Sequence, residues 1–416
     1  MPGGARRLTV DTSEESVMAD GQMRDDFARF DHREPAHRVR AGTIWRDMQA
    51  CSGLPQSDLY GGFHVVTRYD DVMKLVTSPR LFSSAQGTAF PDLDFGHRMP
   101  PEDYDPPLHG EYRSLLTRFL TRERVAGLES AVRSMVVSLL DAIGDAAAID
   151  FVEVFARPLP VMMALELLGL PQADAARLDG LVRDLHHERG NPRGAEAAGE
   201  LEAYIRGSIA AREAEGPQGE ARDILSAVAF GEVHGRPLSA DEKAAMIRLL
   251  MFGGFDTTAI ALASTIHWLA QHPDDAARLR ADPAMLELAT EEMVRFASPA
   301  SYLRRTVTQD TELAGCPLHA GRPVLFSFAA ANRDTTKFDR ADELVLDRLP
   351  NPHLGFGAGV HRCIGSFVAK LELRVALEEI LARYSGIRLP DDAVLRWESG
   401  ENQGISSLPL ILEKSA

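Results

Sequence analysis

Cys363 stands among three glycines in Phe356-Gly357-Ala358-Gly359-Val360-His361-Arg362-Cys363-Ile364-Gly365, directly before a run of helical apolar spacing that continues to Tyr384. A glycine-rich turn lets backbone N–H groups point inward, and a helix start adds the positive end of its dipole. Both favour a thiolate over a thiol at Cys363. A thiolate held by amides, with no further cysteine beside it, suits a single bond to a soft metal, of the kind haem iron makes. An ordinary lone cysteine is a small buried hydrophobe. The glycine spacing and the helix start argue against that reading here.

A second stretch, Met251-Phe252-Gly253-Gly254-Phe255-Asp256-Thr257-Thr258, puts two glycines, a carboxylate and two hydroxyls inside an apolar helical run. Glycine costs about 1 kcal/mol against alanine in a helix, so Gly253 and Gly254 together need a reason. Close approach of a flat ligand is one. A helix–helix contact through small residues, with Asp256 in a buried ion pair, is the other, and the octapeptide alone does not choose between them. A threonine hydroxyl can bond the carbonyl one turn back and bend the helix, and an acid beside it can relay protons. Glu292 and Arg295, three apart, share a helix face; alone, such a pair is a solvated one of little worth. His109 and Arg113, four apart, also share a face, and Arg305 stands at the start of an extended run. Cations aimed inward would hold carboxylates of a ligand, although each taken singly reads as a surface charge.

Long elements must position these residues. Ser239-Ala240-Asp241-Glu242 is a capping box. The helix it opens should run to His272, where Pro273 stops it: roughly 33 residues, or about 50 Å at about 1.5 Å per residue. Apolar almost all round, it reads as a central buried helix, and Arg248, Asp256 and His267 within it argue against a membrane span. Apolar spacing of three and four predicts further helices over residues 109–119, 124–143, 152–168, 173–188, 195–215, 273–281 and 283–296. The run from Gly61 to Tyr69 reads as a strand and residues 70–77 as a short helix. Residues 85–107, broken by five prolines, read as an irregular segment of the kind that often carries function. Alternation of strands and helices is absent. The expected fold is mainly α, one large helical domain over residues 27–416 with small peripheral β-sheets, preceded by a flexible polar arm at residues 1–26.

With 45% apolar and 25% charged residues the chain has ordinary soluble globular composition. A net charge of −16 argues against a general nucleic-acid binder. Cys51, Cys316 and Cys363 are odd in number and far apart, which indicates neither a disulfide framework nor a zinc site and fits a reducing, cytoplasmic setting. Arg6 and Arg7 lead into polar and acidic residues, so no targeting leader or membrane anchor is expected.

Together these segments resemble the cytochromes P-450. Phe356–Gly365 matches that family's haem-binding signature, FGxGxHxCxG, at every fixed position. Met251–Thr258 is similar to its oxygen-binding helix, with Gly253 where alanine is commoner, and Glu292 and Arg295 match its ExxR motif. Asp105-Pro106-Pro107-Leu108-His109 through Arg113 resembles the DPPxHxxxR stretch of the soluble bacterial members. The resemblance covers roughly residues 60–410, with the motifs in the family's order. It implies a haem-thiolate monooxygenase that binds haem b through Cys363 and takes dioxygen as co-substrate. It also implies that Phe356 packs on the haem near the sulfur, that Gly253, Gly254 and Gly365 lie against it, and that His109, Arg113, Arg305 and His361 contact its propionates. Glu292, Arg295 and Arg348 would form a structural charge cluster behind the cysteine loop. Ala341 and Leu344 stand where proline and an aromatic are usual, a departure that weakens the placement of Arg348. Asp256 and Thr257 would deliver protons to dioxygen at the iron.

Electrons must come from a partner, since the haem domain uses up the chain. Arg113, Arg118, Arg122 and Arg124, with Arg362, Lys370 and Arg374 flanking the cysteine, suggest a basic docking face for an acidic ferredoxin; scattered solvated charges are the alternative. The family's variable walls map onto Phe90, Phe95, Phe252, Ser301, Tyr302, Leu303 and Ile405, a mostly apolar pocket with one or two hydrogen-bonding groups. Ordinary core packing is the alternative at each. The expectation is a monomeric cytoplasmic enzyme of secondary metabolism that hydroxylates a small, mostly apolar molecule such as a terpenoid, a polyketide or a small aromatic. The alternative is a haem-thiolate protein that uses peroxide, isomerises or only binds ligands. Retention of Asp256-Thr257 favours oxygen insertion.

Overall fold

The computed structural model describes residues 27–91, 98–144, 148–187 and 191–414; the arm expected at residues 1–26 and Phe95 lie outside them. The helices that build or brace the site are α1 (Leu108–Thr117), α2 (Glu129–Ile143), α3 (Pro158–Leu168), α4 (Ala175–His187), α5 (Pro192–Glu215), α6 (Ala240–Gln271), α7 (Leu286–Ala297) and α8 (Ser366–Arg383).

Helix α6 begins where its capping box requires. The Glu242 amide donates to the Ser239 hydroxyl at 3.2 Å, and the Ser239 amide donates to the Glu242 carboxylate at 2.7 Å. Both reciprocal bonds are present, which satisfies two donors that a bare helix end leaves unpaired. Its 32 residues are long and apolar enough to cross a membrane by composition, yet α3, α5, α7 and α8 pack around it. Phe255, Leu262 and Ile266 have no exposed surface, and each such side chain contributes about 1.5–3 kcal/mol of burial. It is an interior helix.

Two expected helices are broken. Over residues 124–143 a short helix, Arg122–Ala126, is capped by the Thr121 hydroxyl, and α2 starts anew at Glu129 beyond Gly127. Over residues 152–168 a π-type turn at Val152–Ala156 precedes α3, because Pro158 has no N–H with which to continue the ladder. That break leaves Arg157 at the joint between the two, which matters below.

Strands β1 (Gln56–Ser57), β2 (Phe63–Val66), β3 (Phe82–Ser83), β4 (Tyr302–Val307) and β5 (Pro323–Ser327) form a sheet in the order β1-β2-β5-β4-β3. Strand β5 runs parallel to β2 and antiparallel to β4, with Phe326 opposite Leu303 and Val324 opposite Arg305. A smaller antiparallel pair, β6 (Arg396–Glu398) and β7 (Gly404–Ser407), lies against α6. A Cβ on Gly404 would sit 2.2 Å from the Ile260 side chain, so only glycine lets β7 approach α6 this closely. The architecture is mainly helical with small sheets at its edge, as the periodicity predicts.

Candidate active site

A cavity of about 820 Å³ lies between α6, the cysteine loop, α1, α8 and β4. Cys363 lines it, and the exposed surface of this residue faces the cavity. The Cys363 amide donates to the Phe356 carbonyl at 2.8 Å, closing the loop on itself. Gly359, at φ +68°, brings the loop against α-helical residue Val76, whose carbonyl oxygen would lie 2.6 Å from any Cβ there. Burial pushes the Cys363 thiol up, opposed by a hydrogen bond from the Gly365 amide and by the charges of Arg113 and Arg362. The Gly365 amide therefore acts in the expected direction, favouring the thiolate against the cost of burial.

Basic groups gather on one wall. Arg305 is buried, donates to the Arg304 carbonyl at 2.8 Å, and forms no ion pair among the described residues. Burial pulls its guanidinium down to about 10 despite the pull of Glu102, Asp105 and Asp103 in the other direction. The rings of His109 and His361 lie 4.3 Å apart, and His361 Nε2 is 3.1 Å from the Ser84 hydroxyl. Burial, and then the charges of Arg305, His109 and Arg113, drive His361 down to about 3. Arg113 donates to the Arg362 carbonyl at 2.6 Å. All four line the cavity. Two guanidinium groups with no ion pair among the described residues, beside two imidazoles, fit a ligand with carboxylates.

On α6, both alternatives for the octapeptide prove partly right. Gly253 and Gly254 line the cavity; a Cβ on Gly253 would meet nothing, and one on Gly254 only the Ala164 methyl at 3.7 Å. Helix packing therefore compels neither glycine, whereas a flat ligand would. The Thr257 hydroxyl donates to the Gly253 carbonyl at 2.8 Å, the bond one turn back. Asp256 is in a buried ion pair, 3.0 Å from Arg157. Arg157 also clasps Asp179 on α4, with its Nη2 at 2.6 Å and its Nε at 3.1 Å from Oδ1. Burial alone would lower the Arg157 pKa, but Asp256 and Asp179 together raise it. Arg157 was not legible as a partner of Asp256, because 99 residues and a helix break separate them.

Behind the cysteine loop the structure brings Glu292, Arg295 and Arg348 together. Glu292 and Arg295 have no exposed surface. Arg295 meets Glu292 through Nε at 2.7 Å and Nη2 at 2.8 Å, and Arg348 Nε lies 3.0 Å from both Glu292 oxygens. Arg295 also donates to the carbonyls of Asn332, Ala341 and Glu343. The departures at Ala341 and Leu344 do not displace Arg348, since the backbone carbonyls make the contacts.

The expected substrate walls divide. Phe252 and Leu303 line the cavity. Phe90 does not: its ring packs on Phe63 with centroids 4.8 Å apart. Tyr302 is buried and accepts a hydrogen bond from Trp45 Nε1 at 2.6 Å, and the Ser301 hydroxyl donates to the Ser298 carbonyl at 2.9 Å. Ile405 is buried in the main core. The reason is strand alternation. Along β4, Leu303 and Arg305 share the cavity face and Tyr302 takes the other; along β7, Ser406 lines the cavity in place of Ile405.

A ligand for this cavity needs a metal to accept one sulfur and carboxylates to meet the basic wall. Haem offers both, and a mainly helical fold closed over it defines a haem-thiolate protein. The family model for Cytochrome P-450 matches residues 188–410. The chain is 31% identical to the steroid C26-monooxygenase of Mycolicibacterium smegmatis over 99% of its own length and 98% of that protein. It is 30% identical to the linalool 8-monooxygenase of Pseudomonas putida over 93% and 95%. A mutant of P-450 EryK in complex with erythromycin B superposes with a TM-score of 0.82 at 30% identity, covering 91% of this chain and 98% of that one. The chain belongs to the cytochrome P-450 family of haem-thiolate monooxygenases. Its cofactor is haem with a cysteine thiolate ligand, and its co-substrate is dioxygen.

Proposed function

We propose that this chain hydroxylates a small, mostly apolar organic molecule with electrons from a ferredoxin, as a monomer in the cytoplasm. The observation that carries the reading is the acid–hydroxyl pair Asp256–Thr257 on the wall of a cavity to which Leu116, Met163, Leu167, Phe252 and Leu303 give apolar surface. Haem, when bound, supplies reductive activation of dioxygen, with the sulfur's electron donation favouring O–O cleavage. The protein does the rest. Cys363 is the iron ligand, and Phe356 and Gly365 shape the loop around it. His109, Arg113, Arg305 and His361 hold the propionates, and Gly253 and Gly254 admit the flat ring system. Asp256, its carboxylate held by Arg157, would take up and release protons as that pair opens, and Thr257 would pass them on towards the cavity. Glu292, Arg295 and Arg348 hold the backbone of residues 332–343 behind the cysteine loop. Relatives that act on linalool and on a steroid, and a structural neighbour that binds erythromycin B, support an apolar terpenoid or polyketide-like substrate and a place in secondary metabolism.

Thr257→Ala tests the proton path. With a surrogate ferredoxin system, NADH oxidation should continue while product formed per NADH falls by about tenfold or more and peroxide rises in its place. Unchanged coupling would remove Thr257 from the mechanism.

The ferredoxin reading rests on a narrower patch than the residue types suggest. Lys370 is tied to Glu291 at 2.8 Å, and Arg374 to Glu129 at 2.6 Å and Glu378 at 2.7 Å. Arg118, Arg122, Arg124 and Arg362 remain exposed, without ion pairs among the described residues. Arg122→Glu should slow reduction by the surrogate ferredoxin roughly tenfold at low salt and flatten its dependence on ionic strength. A reduction rate indifferent to both the charge reversal and salt would argue for another docking face.

A further inference from the structure

The irregular segment that precedes α1 puts two polar side chains on the cavity wall. Glu102 and Thr88 both line the cavity, together with Ala89, Met99 and Pro101 of the same segment. Thr88 is buried and Glu102 half-buried. The Thr88 hydroxyl donates to Glu102 Oε1 at 3.0 Å. Each residue is braced through the backbone. The Thr88 carbonyl accepts from the Arg304 amide of β4 at 2.7 Å. The turn that carries Glu102 is closed twice, by the Asp103 amide on the Met99 carbonyl at 3.0 Å and by the Met99 amide on Asp103 Oδ2 at 2.9 Å. Groups that are themselves fixed therefore hold the carboxylate in one orientation. Oε2 receives no hydrogen bond, and Glu102 forms no ion pair, among the described residues.

Arg305 feels the charge of Glu102 more strongly than that of Asp105 or Asp103, and the Cys363 thiol feels it too, so the carboxylate lies within Coulomb reach of the cysteine loop. No ion pair joins Glu102 to Arg305, and Arg305 belongs to the wall that meets the propionates. With the propionates taking up Arg113 and Arg305, Glu102 has no cation of its own. Asp256, also on the cavity wall, has one in Arg157. A substrate that covers Glu102 strips water from a carboxylate. A neutral ligand leaves that charge uncompensated, whereas a cation offsets the lost hydration. We infer that Glu102 selects a substrate carrying a cationic nitrogen, an ammonium group on an otherwise apolar frame, with Thr88 orienting the carboxylate towards it. Phe252 and Leu303 supply apolar wall for the frame. The inference deepens the monooxygenase reading and rests on it for the place of the substrate.

Binding to the ferric holoenzyme tests this without turnover or a redox partner. Titration calorimetry compares alkyltrimethylammonium ions, whose quaternary nitrogen has no lone pair for iron, with alkanols of matched length over a series of chain lengths. The ammonium ions should bind wild type about tenfold or more tightly than the alcohols. Glu102→Gln should bring the two to within about twofold of each other, since an amide keeps the shape and the Thr88 contact but not the charge. Ammonium ions bound by wild type no more tightly than alcohols, or an advantage that survives Glu102→Gln, would overturn the inference. Should Glu102→Gln fail to fold, Glu102→Asp draws the carboxylate back by one methylene and should cut the advantage about threefold or more. An advantage unchanged there would overturn it equally. Failure of the monooxygenase reading would show instead in the carbon monoxide spectrum and in product formation, neither of which these titrations use.

Discussion

Reduced wild-type protein under carbon monoxide should absorb near about 450 nm, the signature of thiolate-ligated haem, and Cys363→Ser should lose that band together with monooxygenase turnover. The reasoning is local. Cys363 is the cysteine whose sulfur faces the cavity. The other two are engaged elsewhere: the Cys316 sulfur accepts from the Leu54 amide at 3.1 Å, and the Cys51 thiol donates to the Asp47 carbonyl at 3.4 Å. Neither can substitute. Because the Cys363 side chain borders a cavity rather than packed core, its replacement should leave the stability of the haem-free chain within about 1 kcal/mol of wild type. A thiolate band that survives the substitution would disprove the ligand assignment. A fold that collapses with it would mean that the loop depends on the sulfur for more than iron.

Arg295→Met should destabilise the fold by about 3–5 kcal/mol, measured by denaturant titration of the holoenzyme, with haem lost in parallel. Glu292 is fully buried, and Arg295 supplies two of its short bonds while tying down three backbone carbonyls of the following segment. Removing the cation leaves Glu292 with Arg348 as its one cation, beside the Val345 amide and Asn351, and strands the carbonyls of Asn332, Ala341 and Glu343. Arg348→Met should cost less, because the Arg295 bonds to Glu292 persist. The double replacement Glu292→Gln, Arg295→Met should cost less than the sum of the two single changes, since it removes the uncompensated charge that each leaves behind. A midpoint unchanged by Arg295→Met would contradict a structural role for the cluster.

Several features were legible because their causes are local. The capping box at Ser239–Glu242 names its own helix start, and Pro273 its stop, since both act through neighbouring backbone groups. The hydrogen bond from Thr257 to the Gly253 carbonyl needs nothing beyond one turn of helix. The substrate walls were less legible. Tyr302 and Leu303 are adjacent and both apolar enough to line a pocket, but a strand sends neighbours to opposite faces. Which face meets the cavity depends on the pairing of β4 with β5. The same parity exchanges Ile405 for Ser406, and Phe90 is drawn into an aromatic cluster with Phe63 that residue type alone does not reveal.

By itself the amino-acid sequence determined the chemical kinds present: one cysteine in a glycine loop before a helix, glycines and an acid–hydroxyl pair inside a long apolar helix, and basic residues spaced along the chain. Those follow from backbone propensity and periodicity, which act over a few residues. Only the tertiary structure decided which of these groups share a cavity and in what charge state. Asp256 is held by Arg157 from across a helix break, His361 is driven neutral by burial beside Arg305, and the Cys363 thiol is raised by desolvation. Desolvation and Coulomb interaction depend on distance through space, and no spacing along the chain specifies that distance.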